Sequence, residues 1–252
     1  MSKQNKHSVL RDLAVYVYTD LRYLTKYPNE GLLKDLRYFP QWLRYRKGKA
    51  VASTMQEQSP WLVFDAIEFL KSFLKKDMKV FEYGSGGSTL FFAQRVKEIV
   101  SVEHDAFWFG EVTKIILDNG IKNIDYKLRE PDNYPQFDLG KRSDPGEFIS
   151  YYHGFEGKQF KSYAQAIDTY ADQSFDLVVV DGRARISCIR QALPKIKKGG
   201  FLLVDNADRP AYLLPFDELN DGAKWERNCY TGHFPMCPAS VLDRTIFFKK
   251  LF

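Results

Sequence analysis

From residue 78 onward the chain alternates short β-type runs with helical stretches, and few folds accept such a sequence. The runs are MKVFEYG (78–84), EIVSVEHD (98–105), IDYKLREP (124–131), FDLVVVDG (175–182) and GGFLLVDNA (199–207). Helical segments such as STLFFAQRV, AFWFGEVTKIILDNG and RISCIRQALPKI separate most of them. Strands joined through helices run parallel, and a parallel sheet has both faces covered, which is why these runs are continuously apolar rather than alternating. Two further β candidates, KWERNCYTGHF and RTIFFKKLF, lie close together in the tail and predict an antiparallel hairpin at the sheet edge.

The first 59 residues read differently. Apolar residues recur at helical spacing over 8–27 and 30–47, with Pro28 and Gly31 between them and Pro40 interrupting the second stretch. A third helix is expected over about 61–75. Residues 1–50 hold 11 Lys+Arg against 4 Asp+Glu, so the formal +5 of the whole chain belongs to this segment. Trp42, Tyr38 and Tyr45 are interleaved with the basic residues. They fit a helical cap with one buried and one solvated face, or a surface for nucleic acid or anionic membrane. The cap is the preferred reading, with a subunit contact through these helices as a further expectation.

Composition excludes other classes. With 44% hydrophobic and 15% aromatic residues the chain has ample core material. No 18-residue apolar window offers a transmembrane span, and the start lacks a signal-peptide pattern. Three widely spaced cysteines are not a disulfide framework. A cytoplasmic protein is expected.

The strongest chemical signal is the first βα turn, Glu82-Tyr83-Gly84-Ser85-Gly86-Gly87-Ser88-Thr89. Its glycines let a ligand approach the backbone N–H groups. The second strand ends in Glu103, 17 residues after Gly86, where an acid can bind ribose hydroxyls. A dinucleotide fingerprint needs glycine where Thr89 stands. Glu82 would repel a pyrophosphate and favour a cationic ligand.

E-x-G-x-G-G, V-E-H-D, F-D-L-V-V-V-D-G and L-P-K-I-K-K-G-G-F-L-L-V-D-N together resemble the ordered motifs of class I S-adenosylmethionine-dependent methyltransferases, over about residues 60–252 with 131–172 matched poorly. The resemblance implies an α/β, Rossmann-like, seven-stranded and mostly parallel sheet with an antiparallel C-terminal hairpin. An N-terminal helical extension (1–59) would precede the methyltransferase domain (60–252). It also implies that Glu82, Gly84, Ser85 and Gly86 border the methionine part of S-adenosylmethionine. Glu103 would bind the ribose, His104 would lie near ribose or adenine, and Arg129 to Asp132 would edge the adenine. Asp181 would stand beside the transferred methyl as the catalytic residue, with helix capping as its plainer role.

Asp181, Asp205 and Asn206 reproduce the acid triplet of the cation-dependent O-methyltransferases, so Mg²⁺ is a possibility, although the lysine usual there is replaced by Arg183 and Arg185. Arg183, Arg185 and Arg209 would hold a phosphate or carboxylate of the acceptor or simply be solvated. The aromatic insertion, with Tyr134, Phe137, Tyr151, Tyr152, His153, Phe155, Phe160 and Tyr163, reads as an acceptor lid or as packing, with His153 a candidate base. The expected reaction is methyl transfer to a hydroxyl of a small molecule or sugar. Methylation of nucleic acid or protein, or cofactor binding without catalysis, are the alternatives. Two weaker patterns were weighed. Ser85, Asp205 and His233 have the chain order of a hydrolase triad but lack its elbow. Cys229, His233 and Cys237 offer three zinc-type ligands without a fourth.

Overall fold

The computed structural model describes residues 3–28, 32–47, 54–151, 154–235 and 241–252. Gly31, Tyr152, His153 and Cys237 lie outside them. The chain enters through α1 (Lys3–Leu24), a 3-10 turn (Leu32–Tyr38), α2 (Phe39–Lys47), α3 (Thr54–Glu57) and α4 (Phe64–Phe73). Pro40 sits in the first turn of α2, where its missing N–H would be unpaired in any case. The α/β part then runs β1 (Lys79–Tyr83), α5 (Gly87–Ala93), β2 (Glu98–Glu103), α6 (Ala106–Asp118) and β3 (Ile124–Leu128). The insertion supplies a two-stranded ribbon, β4 (Asp132–Asn133) with β5 (Lys158–Gln159), and the short helix α7 (Lys161–Ala164). Then come β6 (Phe175–Val180), α8 (Arg185–Ala192), β7 (Ile196–Val204), β8 (Trp225–Gly232) and β9 (Asp243–Lys250).

The main sheet has seven strands in the order β3-β2-β1-β6-β7-β9-β8. The first five of these pair in parallel, and β9 pairs antiparallel with both β7 and β8. The tail hairpin is therefore inserted with its second strand inward, leaving β8 as the edge. On β1, Phe81 and Tyr83 face one core with Val178, Ile186 and Ile189, while Val80 faces the other with Ile67, Phe92 and Leu203. After β1 the chain crosses to β2 on one side, and it later returns to β6 on the other. The connections that leave the adjacent carboxyl ends of β1 and β6 therefore run in opposite directions, towards β2 and β7, which is where such sheets place a crevice.

The extension packs onto this body. Tyr16, Tyr38 and Trp42 are buried against Phe64 of α4 and Phe234 beyond β8. The aromatic-basic interleaving thus resolves into rings turned inward and cations at the surface: Trp42 is 1% exposed, while Arg37 pairs with Asp65 and Arg44 with Glu57 outside. Among the described residues no helix is long and apolar enough to cross a membrane. Trp42→Ala should therefore destabilise the whole fold, by about 3–5 kcal/mol, as read from denaturant melts. A loss under 1 kcal/mol would show that the extension is not docked.

Candidate active site

At the carboxyl ends of β1 and β6 the backbone is drawn tight. Gly84 has φ +91°, and a Cβ there would lie 2.8 Å from the Gly182 Cα. At Gly182 a Cβ would lie 2.0 Å from the Tyr163 Oη. Neither position accepts a side chain. Gly86, in contrast, would meet only the Trp108 ring at 3.9 Å, so its face is open to a ligand.

Thr89, standing where a dinucleotide fingerprint would have glycine, ties this turn together. Its Oγ1 accepts the Gly86 N–H at 3.0 Å and donates to Glu82 Oε2 at 2.6 Å. Ser101 also donates to Glu82, at 2.6 Å. Glu82, expected to border the methionine part of the cofactor, is wholly buried behind the turn and is not on the cleft wall; its Oε2 fixes the turn. Burial pushes its carboxyl up to about 7, against the hydroxyl donors that lower it.

The cleft, of about 610 Å³, is walled by Gly84, Ser85, Gly86, Glu103, His104 and Asp181, all named from the sequence. Glu103 ends β2. Its Oε2 accepts the Ser85 N–H at 3.1 Å and Oγ–H at 2.8 Å, and its Oε1 accepts the N–H groups of His104 and Asp105 at 2.7 and 2.9 Å. Burial opposes its ionisation, but these donors and the His104 ring, with Nδ1 2.7 Å away, hold it at about 2. Ser85 further meets Tyr126 Oη at 2.6 Å, and the Trp108 indole donates to the Ser85 carbonyl at 3.0 Å.

The sequence reading missed several wall residues. Thr54 and Trp61 arrive from the extension side, Phe107 and Trp108 from the start of α6. Their signal was weak: aromatic residues just past a V-E-H-D strand end. Gly87 shows why the extension reaches the cleft, since a Cβ there would lie 2.1 Å from the Thr54 carbonyl oxygen. Arg129 to Asp132 are not on the wall. Arg129 instead donates its backbone N–H to the Glu103 carbonyl at 2.7 Å, continuing the sheet. In the insertion, Phe155 lines the cleft and Tyr151 a neighbouring pocket, whereas Phe160 and Tyr163 are core residues rather than a lid.

Asp181 lies on the cleft floor with 28% of its side chain exposed. Arg185, itself buried, donates to Asp181 Oδ1 at 2.8 Å, to the Asp181 carbonyl at 2.9 Å and to the Gly182 carbonyl at 3.0 Å, and it also reaches the Asp205 carbonyl. Burial raises Asp181 to about 6 although Arg185 opposes the shift, and burial with the Asp181 charge raises Asp205 to about 8.

The triplet considered for Mg²⁺ is engaged by other groups of the protein. Arg185 holds Asp181, Asp205 Oδ1 accepts from Thr245 at 2.6 Å, and the Asn206 amide donates to Asp243. Ser85, Asp205 and His233 are likewise dispersed: Ser85 is bonded to Glu103, and His233 to Asp35. Cys229 packs beside the main core, apart from His233's carboxylate partner.

A second pocket, of about 250 Å³, shares Gly182, Arg183 and Arg185 with the cleft and is completed by Tyr151, Arg209 and Tyr212. The Arg183 guanidinium lies 4.9 Å from the Phe155 ring, and Arg209 donates to Asn206 at 3.1 Å and to Tyr212 at 3.3 Å.

No family model matches the sequence, and no curated protein matches it. Solved structures do match its fold. A Streptococcus mutans protein assigned as a methyltransferase and crystallised with SAH is 14% identical, with TM-score 0.50, covering 73% of this chain and 94% of that one. A Clostridium thermocellum protein assigned as an rRNA methylase is 15% identical, with TM-score 0.50, covering 75% and 94%. The fold is that of the class I S-adenosylmethionine-dependent methyltransferases.

The carboxyl cluster carries a pH signature. Asp181 and Asp205 have folded values raised above the ordinary 3.8, so the native state keeps protons that the unfolded chain has lost. Their contribution to stability is therefore greatest near pH 4 and falls as pH rises towards 8. Asp205→Asn, which can still accept from Thr245, should flatten this decline and raise the melting temperature at pH 8 relative to wild type. Parallel melts at pH 5 and pH 8 check it, and an unchanged slope counts against the assignment.

Proposed function

We propose that this protein is an S-adenosylmethionine-dependent methyltransferase acting on a hydroxyl of a small molecule that carries a negative charge. The observation that carries the reading is the cleft itself. An open glycine face at Gly86, the ionised carboxylate of Glu103 and the Asp181 carboxylate all line one cavity at the sheet's switch point. These residues fit S-adenosylmethionine: Glu103 would take the ribose hydroxyls, exchanging its bonds to Ser85 for them. Gly84 and Gly86 would let the methionine part approach the backbone, and Trp108 with His104 would flank the nucleoside. The bound cofactor supplies an electrophilic methyl group, and the protein has to position the acceptor and take its proton.

Asp181 is suited to that proton. Its value of about 6 leaves it mostly ionised at neutral pH yet close enough to accept a proton during transfer. Arg185 fixes its rotamer through Oδ1. The adjoining pocket would seat the acceptor. Arg183 and Arg209 stand at its wall beside Tyr151 and Tyr212, a pairing of cations and rings that suits a phosphate or carboxylate on a sugar or aromatic ring. The similar structures include one assigned as an rRNA methylase, whereas in this chain Tyr38 and Trp42 of the basic extension are buried and unavailable for stacking on bases.

Two measurements test this reading. Glu103→Ala should weaken binding of S-adenosylhomocysteine by about 1–3 kcal/mol in calorimetry, and unchanged affinity would remove Glu103 from the site. Asp181→Asn should keep that binding but lose most turnover on an identified acceptor, and turnover at the wild-type rate would leave Asp181 with a structural role alone.

A further inference from the structure

Away from the cleft, three titratable side chains meet in the core between the extension and the sheet. Asp20 comes from α1, Asp35 from the 3-10 turn that follows, and His233 from the residue after β8. They are 0%, 2% and 0% exposed. Their ligand atoms lie within 4.8 Å of one another, with His233 Nδ1 2.6 Å from Asp35 Oδ2 and 3.5 Å from Asp20 Oδ1. Asp35 is well supported: Oδ2 accepts from the Tyr16 hydroxyl at 2.9 Å and from the His233 backbone N–H at 3.1 Å. The Tyr16 ring stacks on the His233 imidazole at 3.6 Å. Asp20 has no such support. Both of its oxygens are buried without a hydrogen-bond partner, and so is His233 Nε2 on the other side of the ring.

Two carboxyl groups share one imidazole in an aromatic core, where burial penalises their charge. A divalent cation would offset this charge and take up the Asp20 oxygens, which have no hydrogen-bond partner. We infer that Asp20, Asp35 and His233 bind a transition-metal ion of the Zn²⁺ class. One nitrogen and two carboxylates are ligand types that Zn²⁺ accepts, and both Asp20 oxygens are available to it. His233 also accepts the Phe64 N–H on its carbonyl at 3.0 Å, so the ion would tie α1 and the 3-10 turn to β8 and α4 together. His233, paired with cysteines in the sequence reading, has carboxylates as its partners. The inference is independent of the methyltransfer reading.

The test uses the full chain, stripped with a chelator and titrated with Zn²⁺ alone. One Zn²⁺ per chain should be retained after dialysis, and the melting temperature should rise by about 5 °C or more at saturation. Asp20→Asn keeps the shape and removes one carboxylate, so its Zn²⁺ affinity should fall at least tenfold and its metal-dependent melting shift should vanish. Co²⁺ in the wild-type chain gives a readout that needs no variant: visible bands of nitrogen and oxygen ligation without thiolate charge-transfer bands. Failure of the wild-type chain to retain Zn²⁺, retention undiminished by Asp20→Asn, or a thiolate band would each overturn the assignment.

Discussion

The close approach of Gly84 and Gly182 is the constraint on which the site depends. Two parallel strands end side by side, and the backbones after them pass so near that a Cβ at Gly84 would lie 2.8 Å from the neighbouring Cα. Tyr163 presses on Gly182 from the core side, closing the remaining direction. The chain after β1 must then turn towards the start of α5, and the chain after β6 towards α8. The space between those departures is the cleft. Asp181 is held at its floor because it is the last residue before the contact.

Around this point polar groups are arranged in layers. Glu82 and Thr89 hold the glycine turn from behind, and Glu103 holds it from the side through Ser85. Arg185 performs the same service on the opposite wall, with four acceptors around its guanidinium. Buried charge is costly unless every partner is supplied. Here Arg185 opposes the shift of Asp181 and of the neighbouring Asp205, yet burial still raises them to about 6 and 8.

The extension is part of the same construction. Its aromatic face is buried on α4 and on the residues after β8, and the Thr54 carbonyl sits against Gly87 at the start of α5. Thr54 and Trp61 thereby reach the cleft wall. A segment that reads as a separate basic addition contributes both core and site, because its apolar stripe has no other surface on which to be buried.

Local pattern alone determined the strands, the glycine turn and the acids at the strand ends. Continuous apolar runs such as VVV and FLLV, bounded by turn residues, fit strands covered on both faces, and the structure gives Gly84 the positive φ that a tight turn needs. The glycine turn and Glu103 followed from their place just past those strands, whereas the cofactor-side roles of Ser85, His104 and Asp181 were what the resemblance to the methyltransferase motifs implied. The tertiary structure decided what depends on partners far away in the chain. Glu82 is adjacent to the turn in sequence, yet its carboxyl is enclosed by Thr89 and Ser101 and leaves the cleft wall. Asp205 and Asn206 follow β7 in sequence, but their side chains are engaged by Thr245 and Asp243 from β9. His233 has no acid within ten residues on its N-terminal side except Glu226, and its true partners stand some 200 positions earlier, 198 for Asp35. Side-chain direction and long-range pairing set these outcomes, and neither is written in the spacing of residues along one strand.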